Sequence, residues 1–279
     1  MWSLSQSNVH VALSAQRVVI TQAPKRWPGS RANFERIACL PNAASTTDTS
    51  GVAMAVWQPA VQALGKWLTG QGATPTLHVV LSAKFVRWQL LDYRPELSRP
   101  SELAAYAALR FKDTFDNSTQ DWQITHSAQP PGHVLPACAV DSALLQALHK
   151  LCTDSGARLR SVAPYFSVAF DHWSASLKDK TYWFGVLEPD CVSLALVDKG
   201  NLLGLRKQRF DSALRDVLPG LMAQMRVTSG VAATSLPLYL VGDGEGELPV
   251  LPAGTAAHWL RSSVQQVPQQ DGVRMALGV

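Results

Sequence analysis

The sequence predicts an α/β protein built from two similar halves. In the second half, Tyr182–Leu187, Cys191–Val197 and Leu202–Phe210 are typical of three successive strands, because short turns separate them and apolar residues alternate along the middle one. A helical pattern over Asp211–Arg226 and an apolar strand over Leu236–Val241 follow. The first half shows the same order of hairpin, strand, helix and strand. This repeated order is the observation that predicts the fold class.

The first half opens with a hairpin. Asn8–Leu13 and Arg17–Gln22 each alternate apolar and other residues, which predicts two paired strands, and Arg36–Leu40 is predicted as a third. A helix is predicted over Val52–Thr69, although Pro59 disturbs its first turns. These elements have the order expected for the start of one lobe.

An apolar strand and an insertion come next. Leu77–Leu81 is apolar enough for a strand buried on both faces, and we expect it to form a hairpin with Phe85–Leu91 around Ser82-Ala83-Lys84. Residues of about 84–140 are predicted as an inserted subdomain. It contains a helix at Ser101–Phe115 and strands at Asp121–Ser127 and Val134–Val140.

Clear stop and start signals mark the elements after the insertion. Asp141 is a predicted N-cap of an amphipathic helix that ends at Gly156. Leu159–Ala163 is predicted as a strand, and Pro164 then opens a helix that runs to about Leu177. The first lobe is therefore predicted to span residues 1–180.

The second lobe is predicted to span residues 181–279. Pro219 lies inside its helical pattern, so we expect a kink or a break there. A short helix is predicted around Thr255–Arg261, and the chain closes with the segment Gly272–Val279.

Composition excludes several classes of protein. Of the 279 residues, 47% are hydrophobic and 16% are charged, which predicts a sizeable core rather than disorder. The net charge of +4 is small and the basic residues are scattered, so we expect no nucleic acid as a partner. No apolar run approaches the ~20 residues of a membrane span, and we expect the chain to have no transmembrane segment of its own and to be cytoplasmic.

The order of elements and several segments resemble a known family. The segments are the insertion at 84–140, CAVDSALLQALHKLCTDSGARLRSVAP, the hairpin ending LLGLRKQRF, and the closing GVRMALGV. With these, the chain resembles the actin-like ATPase superfamily, whose fold is a duplicated ribonuclease-H-like unit. More narrowly, it resembles the cytoplasmic actin-like platform proteins of type IV pili and type II secretion, known as PilM and GspL.

This resemblance implies a role and a location. It implies a scaffold on the cytoplasmic face of the inner membrane that binds cytoplasmic tails of pilus or secretion assembly proteins, and an assembly ATPase as a further partner. Secretion-type relatives continue into a transmembrane helix and a periplasmic domain. The sequence ends at Val279 with neither, which we interpret as favouring the free-standing pilus type or a shortened form.

The resemblance also places a tentative nucleotide cleft. Phosphate-binding hairpins of the family carry Asp-x-Gly, whereas this sequence has Ala12-Leu13-Ser14 and Leu187-Glu188-Pro189 at the matching places. Only the loop that begins with Gly242 keeps a family-like character. The predicted cleft residues are Ser14, Gln16, Glu188, Asp190, Gly242, Asp243 and Gly244.

Because two of these three elements depart from the family pattern, we expect a pseudo-ATPase with no catalytic residues. No cofactor is expected, and binding of ATP with Mg²⁺ is the disfavoured alternative. No metal ligands are predicted, because the histidines lack ligand spacing and the four cysteines form no CxxC pair.

Two alternative functions and one basic cluster also follow from the sequence. The first alternative function is an active ATP-dependent phosphotransferase or ATPase of the same superfamily. A ribonuclease-H-like nuclease would need clustered carboxylates on the first strands, and residues 8–22 contain none. Arg206, Lys207 and Arg209 form a basic cluster that suits either an acidic partner or lipid headgroups, or simply guards an edge strand.

Overall fold

A computed structural model of the protein describes thirteen stretches of the chain. These are residues 8–22, 33–38, 55–71, 74–97, 99–115, 121–127, 129–177, 180–211, 213–230, 235–242, 251, 255–261 and 272–278. Asp243 and Gly244 of the predicted cleft lie outside them, as do Leu40 and Val52 at the ends of predicted elements.

Two five-stranded sheets of the same topology form the body of the molecule. In each, the first three strands are antiparallel and the fourth and fifth add in parallel beside the first, which gives the order 3-2-1-4-5 in both sheets. The first sheet contains β1 (Asn8–Leu13), β2 (Arg17–Gln22), β3 (Asn33–Ala38), β4 (Thr76–Leu81) and β8 (Arg158–Pro164). The second contains β9 (Thr181–Glu188), β10 (Cys191–Asp198), β11 (Asn201–Arg209), β12 (Leu238–Gly242) and β13 (Ala257–Trp259).

A separate three-stranded sheet forms a subdomain between β4 and β8. It pairs β5 (Val86–Leu91) with β7 (Leu135–Asp141), and β7 with β6 (Trp122–His126). Helix α2 (Pro100–Phe115) covers one face and buries Phe111 and Ala107 against it. The fold therefore has the predicted insertion in its first lobe, and the bounds of about 84–140 stay a prediction.

The two sheets separate three further layers of core, each of which contains helices. On the outer face of the first sheet lie α1 (Gln58–Thr69) and α3 (Ser142–Ser155), and α5 (Leu214–Ser229) covers the outer face of the second. The two inner faces share a single core with α4 (Tyr165–Leu177), in which Phe166 and Phe184 are buried. The lobes therefore meet through apolar side chains over much of their inner faces.

The last helix returns to the first sheet. Helix α6 (Val273–Leu277) packs against β1 and β2, and buries Met275 and Ala276 in the shared inner core. The segment predicted as part of the second lobe thus contacts the first sheet directly. The boundary between residues 180 and 181 stays a prediction.

Several predicted elements differ from those observed. The predicted hairpin of Leu77–Leu81 with Phe85–Leu91 is wrong, because β4 pairs in parallel with β1 and β8 while β5 joins the subdomain sheet. The segment predicted as a helix around Thr255–Arg261 contains strand β13, which pairs with the open edge of β12.

Proline positions explain two further differences. Helix α1 begins at Gln58 rather than Val52, since Pro59 occupies the first turn, where its missing N–H costs no helical hydrogen bond. Pro219 lies inside one continuous helix, so the predicted break is absent. Pro219 has no N–H to donate to the Arg215 carbonyl, but Arg215 is exposed, so water can satisfy this carbonyl.

The third strand begins at Asn33, three residues before the predicted Arg36.

Candidate functional site

The ends of β1, β4 and β9 meet between the two lobes. The Ser82 N–H, just after β4, donates to the Leu13 carbonyl at the end of β1 at 2.9 Å. The Ser82 hydroxyl donates to the Glu188 carboxylate at the end of β9. One serine therefore links the hairpin of the first lobe to the hairpin of the second.

Glu188 is a buried carboxylate held by the first lobe. Its side chain is 6% exposed, and besides Ser82 it accepts a hydrogen bond from the Ala83 N–H at 2.7 Å. Two charge-assisted hydrogen bonds across a lobe boundary, in a site shielded from water, are stronger than their exposed equivalents.

Two lysines complete this contact. Lys84 forms an ion pair with Asp190 at 2.5 Å, and the Lys207 ammonium donates to the Ala83 and Val86 carbonyls at 2.7 and 3.0 Å. We call the whole group the interlobe latch. Its members are Ser82, Ala83, Lys84 and Val86 of the first lobe with Glu188, Asp190 and Lys207 of the second.

The interlobe latch makes stability depend on pH through Lys207. Burial, with the nearby Arg87 second, lowers the pKa of Lys207 from 10.5 to about 8. Between pH 8 and 10.5 the unfolded chain therefore binds more protons than the folded one, and this group's contribution to stability rises with pH. We expect the free energy of unfolding of the wild type, minus that of Lys207→Met, to increase from pH 8 to pH 10 in urea titrations. A difference that stays constant over this range would contradict the lowered pKa.

Of the other predicted cleft residues, the structure describes Ser14, Gln16 and Gly242. In the β1–β2 turn, Gln16 is exposed, while the Ser14 hydroxyl donates to the Arg17 carbonyl at 3.0 Å. Gly242, at the end of β12, lies beside Leu187 with a φ of +105°. The structure thus brings Glu188, Asp190 and Gly242 to one end of the second sheet. Their role as nucleotide contacts stays a prediction.

The predicted basic cluster on β11 is divided between two faces. Because strand residues alternate, Lys207 and Arg209 lie on one face and Arg206 on the other, and Lys207 is directed into the latch. The three side chains do not form one basic patch.

A groove lies between the first sheet and the subdomain. It is a cavity of about 240 Å³ bounded by the edge strand β8, the β6–β7 face of the subdomain sheet and helix α3. We call it the edge groove. Its half-buried or buried floor is formed by Leu81, Cys138, Val140, Leu145, Leu159 and Val162, and its polar rim by Gln123, Thr125, His149, Arg160 and Ser161.

A bulge in strand β8 places the charged residue Arg160 on the rim of the groove. The register between β4 and β8 shifts at Leu77/His78, so Arg160 is an extra residue on β8 between Leu159 and Ser161. Such a bulge on an edge strand re-aims a side chain, and Arg160 lines the groove. Beside it the Ser161 hydroxyl and His78 Nδ1 are hydrogen-bonded at 2.9 Å.

The groove suits side chains of an extended segment better than a whole small molecule. Its volume of about 240 Å³ is below the roughly 300–1,000 Å³ of ordinary small-molecule pockets. In the described part of the chain, β8 pairs only with β4 and β6 only with β7, so each has one edge open to a further strand. An apolar floor beside an open strand edge is the arrangement used in strand-addition binding.

Solved structures of three proteins match nearly the whole chain. A Bacteroides thetaiotaomicron protein with an actin-like ATPase fold and unknown function matches with a TM-score of 0.61 at 11% identity, over 98% of this chain and 95% of that one. The chain has an actin-like ATPase fold. The cytoplasmic domain of EpsL, an inner membrane component of the Vibrio cholerae type II secretion system, matches with a TM-score of 0.63 at 13% identity, over 98% and 93%.

The third match is PilM in a PilM–PilN type IV pilus biogenesis complex, with a TM-score of 0.61 at 13% identity, over 97% and 96% of the two chains. No protein-family model and no curated protein matches the sequence. At these identities the matches establish the fold, and they confirm the predicted fold class of a two-lobed actin-like protein with an insertion in its first lobe.

Two features are absent from the described residues. None of the helices there is long and apolar enough to cross a bilayer. Nowhere in the same residues do three His, Cys, Asp or Glu side chains gather in a way that could hold a metal ion.

Sequence reasoning misses Ser82, Ala83 and Lys84 as site residues. Their pattern predicts a hairpin turn, although they follow the apolar strand Leu77–Leu81. The carboxyl ends of parallel strands are where binding sites form in α/β proteins, and this was the available signal. The edge groove had no such signal, because its walls come from β8 and from the insertion.

Proposed function

We propose that this protein is a scaffold of a type IV pilus or type II secretion assembly platform at the cytoplasmic face of the inner membrane. In this role it holds an extended cytoplasmic segment of a membrane-anchored assembly protein in the edge groove, and an assembly ATPase is a further partner. The observation that carries the proposal is the apolar groove beside the open edge of β8.

The comparisons support the same proposal at the level of fold. Two of the matching structures are an inner membrane secretion component and a pilus biogenesis complex. A segment lying along β8 would gain backbone hydrogen bonds, while its side chains enter the cavity floored by Cys138 and Val162.

We also propose that the interlobe cleft is that of a pseudo-ATPase. In place of an open phosphate site, the turn of the second hairpin contacts the chain itself, through Glu188 with Ala83 and Asp190 with Lys84. The Pro189 between them supplies no N–H to a phosphate. The rival function, an active phosphotransferase or ATPase, requires this contact to open.

Peptide binding tests the scaffold role. Synthetic peptides that cover the cytoplasmic tails of inner-membrane proteins encoded by neighbouring genes would be titrated into the protein by calorimetry. We expect one tail to bind, and we expect Thr125→Trp, which fills the groove from an exposed rim position, to weaken binding about 30-fold or more, equivalent to about 2 kcal/mol. Thr114→Trp, a substitution at another exposed threonine, on α2, is the matched control and should leave the affinity unchanged.

A titration with MgATP completes the test. Tail binding that Thr125→Trp does not affect would exclude the edge groove as the binding site. Mg-dependent ATP binding with turnover would overturn the pseudo-ATPase proposal and favour the enzyme.

A further inference from the structure

The position of the subdomain relative to the first sheet sets the width of the edge groove. One wall of the groove is strand β8 of the first sheet, and the other is the subdomain sheet. The chain crosses between these two bodies twice, once from β4 to β5 through Ser82–Phe85 and once from β7 to α3 at Asp141–Ser142. Movement of one wall against the other requires the backbone to bend at these two crossings.

The crossing at Asp141 is fixed by the first lobe and the subdomain. The Asp141 carboxylate accepts hydrogen bonds from Trp57 Nε1 and the Ala143 N–H, both at 2.8 Å, and the Ser142 N–H donates to the Asp121 carbonyl at 2.7 Å. All of these groups belong to the two bodies that form the groove.

The crossing at Ser82–Phe85 is held mainly by the second lobe, besides the hydrogen bond from the Ser82 N–H to the Leu13 carbonyl of the first sheet. Glu188 accepts from Ser82 and Ala83, Asp190 pairs with Lys84, and Lys207 donates to the Ala83 and Val86 carbonyls. Leu81, the residue just before this crossing, lines the groove. The interlobe latch therefore holds the Ser82–Phe85 crossing, which is the hinge between the two walls of the edge groove.

We propose that the second lobe regulates the edge groove through this latch. With the latch closed, the subdomain is held against β8 at the observed width. Release of the hinge lets the subdomain move away from β8 and widens the groove, so a change at the interlobe contact is coupled to the groove. The functional consequence rests on the proposed function of the groove, whereas the mechanical coupling does not.

Three cysteines report on this coupling without any partner. Cys138 lies on the groove floor. Cys191 is opposite Glu188 in the β9–β10 ladder, beside the latch, and Cys152 is buried on α3 in the outer core of the first lobe. Burial raises the pKa of Cys191 to about 12 and also raises the pKa of Cys138, so both thiols should react slowly while latch and groove are closed. Labelling with 5,5′-dithiobis(2-nitrobenzoate), with each site located by mass spectrometry, gives a separate rate for each of these three thiols.

The test compares the wild type with Lys84→Met/Lys207→Met, which removes both latch cations and retains apolar side chains. We expect the rates at Cys138 and Cys191 to rise about fivefold or more, the lower end of usual coupling between sites. The rate at Cys152 should stay constant. Loss of two positive charges disfavours thiolates, so an increase cannot be an electrostatic effect of the substitutions. Arg110→Ala, which breaks the exposed Arg110–Asp113 pair on α2, is the control and should leave all three rates unchanged.

Two results would overturn the proposal. An unchanged rate at Cys138, with or without a faster Cys191, shows that the latch does not control the groove. A rise at Cys152 equal to that at Cys138 shows general loosening of the fold rather than a hinge. Neither result bears on whether a membrane-protein tail binds the groove, so this inference and the proposed function fail separately.

Discussion

Replacing Gly242 with alanine is expected to lower the free energy of unfolding by about 2–6 kcal/mol. The residue has a φ of +105°, which costs a residue with a side chain about 1–3 kcal/mol. A Cβ atom there would also lie 2.2 Å from the Leu187 carbonyl oxygen, in the neighbouring strand β9. Relieving this overlap requires displacement of paired backbone in the centre of the second sheet, and overpacking of this kind costs about 1–3 kcal/mol more.

Gly200→Ala separates the two causes. Gly200 has a φ of +85°, but a Cβ atom there would meet nothing within 4 Å. Its substitution should therefore cost about 1–2 kcal/mol, the conformational part alone. Urea unfolding of the wild type and both variants gives the comparison. Equal losses for Gly242→Ala and Gly200→Ala would show that the close approach to Leu187 has no energetic consequence.

Gly242 also shows what the sequence could reveal about the site. The apolar segment Leu236–Val241 followed by Gly predicted a strand that ends at a loop, and β12 ends at Gly242. The need for glycine arises from the register with Leu187, a residue more than fifty positions earlier in the chain. The family resemblance implied the residue as a site candidate, whereas the parallel pairing of β12 with β9 explains why no other residue fits.

Local signals predicted elements well where neighbours in sequence are also neighbours in space. The three strands after residue 181 pair consecutively by antiparallel contacts, and Asp141 and Gly156 cap α3 as expected, with Gly156 at a φ of +71°. Pairings between distant segments were not predictable in this way. The residues Ser82-Ala83-Lys84 suited a hairpin turn, yet β4 finds its partners in β1 and β8.

The difference between prediction and structure at Thr255–Arg261 also arises from pairing between distant segments. Its residues allow a short helix, but β12 offers an unpaired edge, and β13 gains ladder hydrogen bonds by adding to it. Strand propensity depends on such context more than helix propensity does. The interlobe latch likewise joins residues about a hundred positions apart, such as Ala83 and Glu188, so no local pattern in the sequence predicts it.

The second large effect is expected at Glu188. Glu188→Ala should lower the free energy of unfolding by about 3–5 kcal/mol, because it leaves the Ser82 hydroxyl and the Ala83 N–H without their acceptor in a buried site. Lys84→Ala breaks a pair whose side chains are 17% and 31% exposed, and it should cost about 1 kcal/mol or less. Urea unfolding at pH 7 measures both.

Glu188→Gln distinguishes a hydrogen-bonding role from a role of charge. The amide oxygen of glutamine can still accept from the Ala83 N–H, while the negative charge near Lys207 is lost. If the hydrogen bonds dominate, Glu188→Gln should cost about 1–2 kcal/mol, well below the alanine variant. A loss as large as that of Glu188→Ala would assign the effect to the charge instead. A loss below about 1 kcal/mol for Glu188→Ala would mean that the lobes are held by their shared apolar core and that the latch adds little. In that case the latch would not be what keeps the cleft closed, and the argument against nucleotide binding would weaken with it.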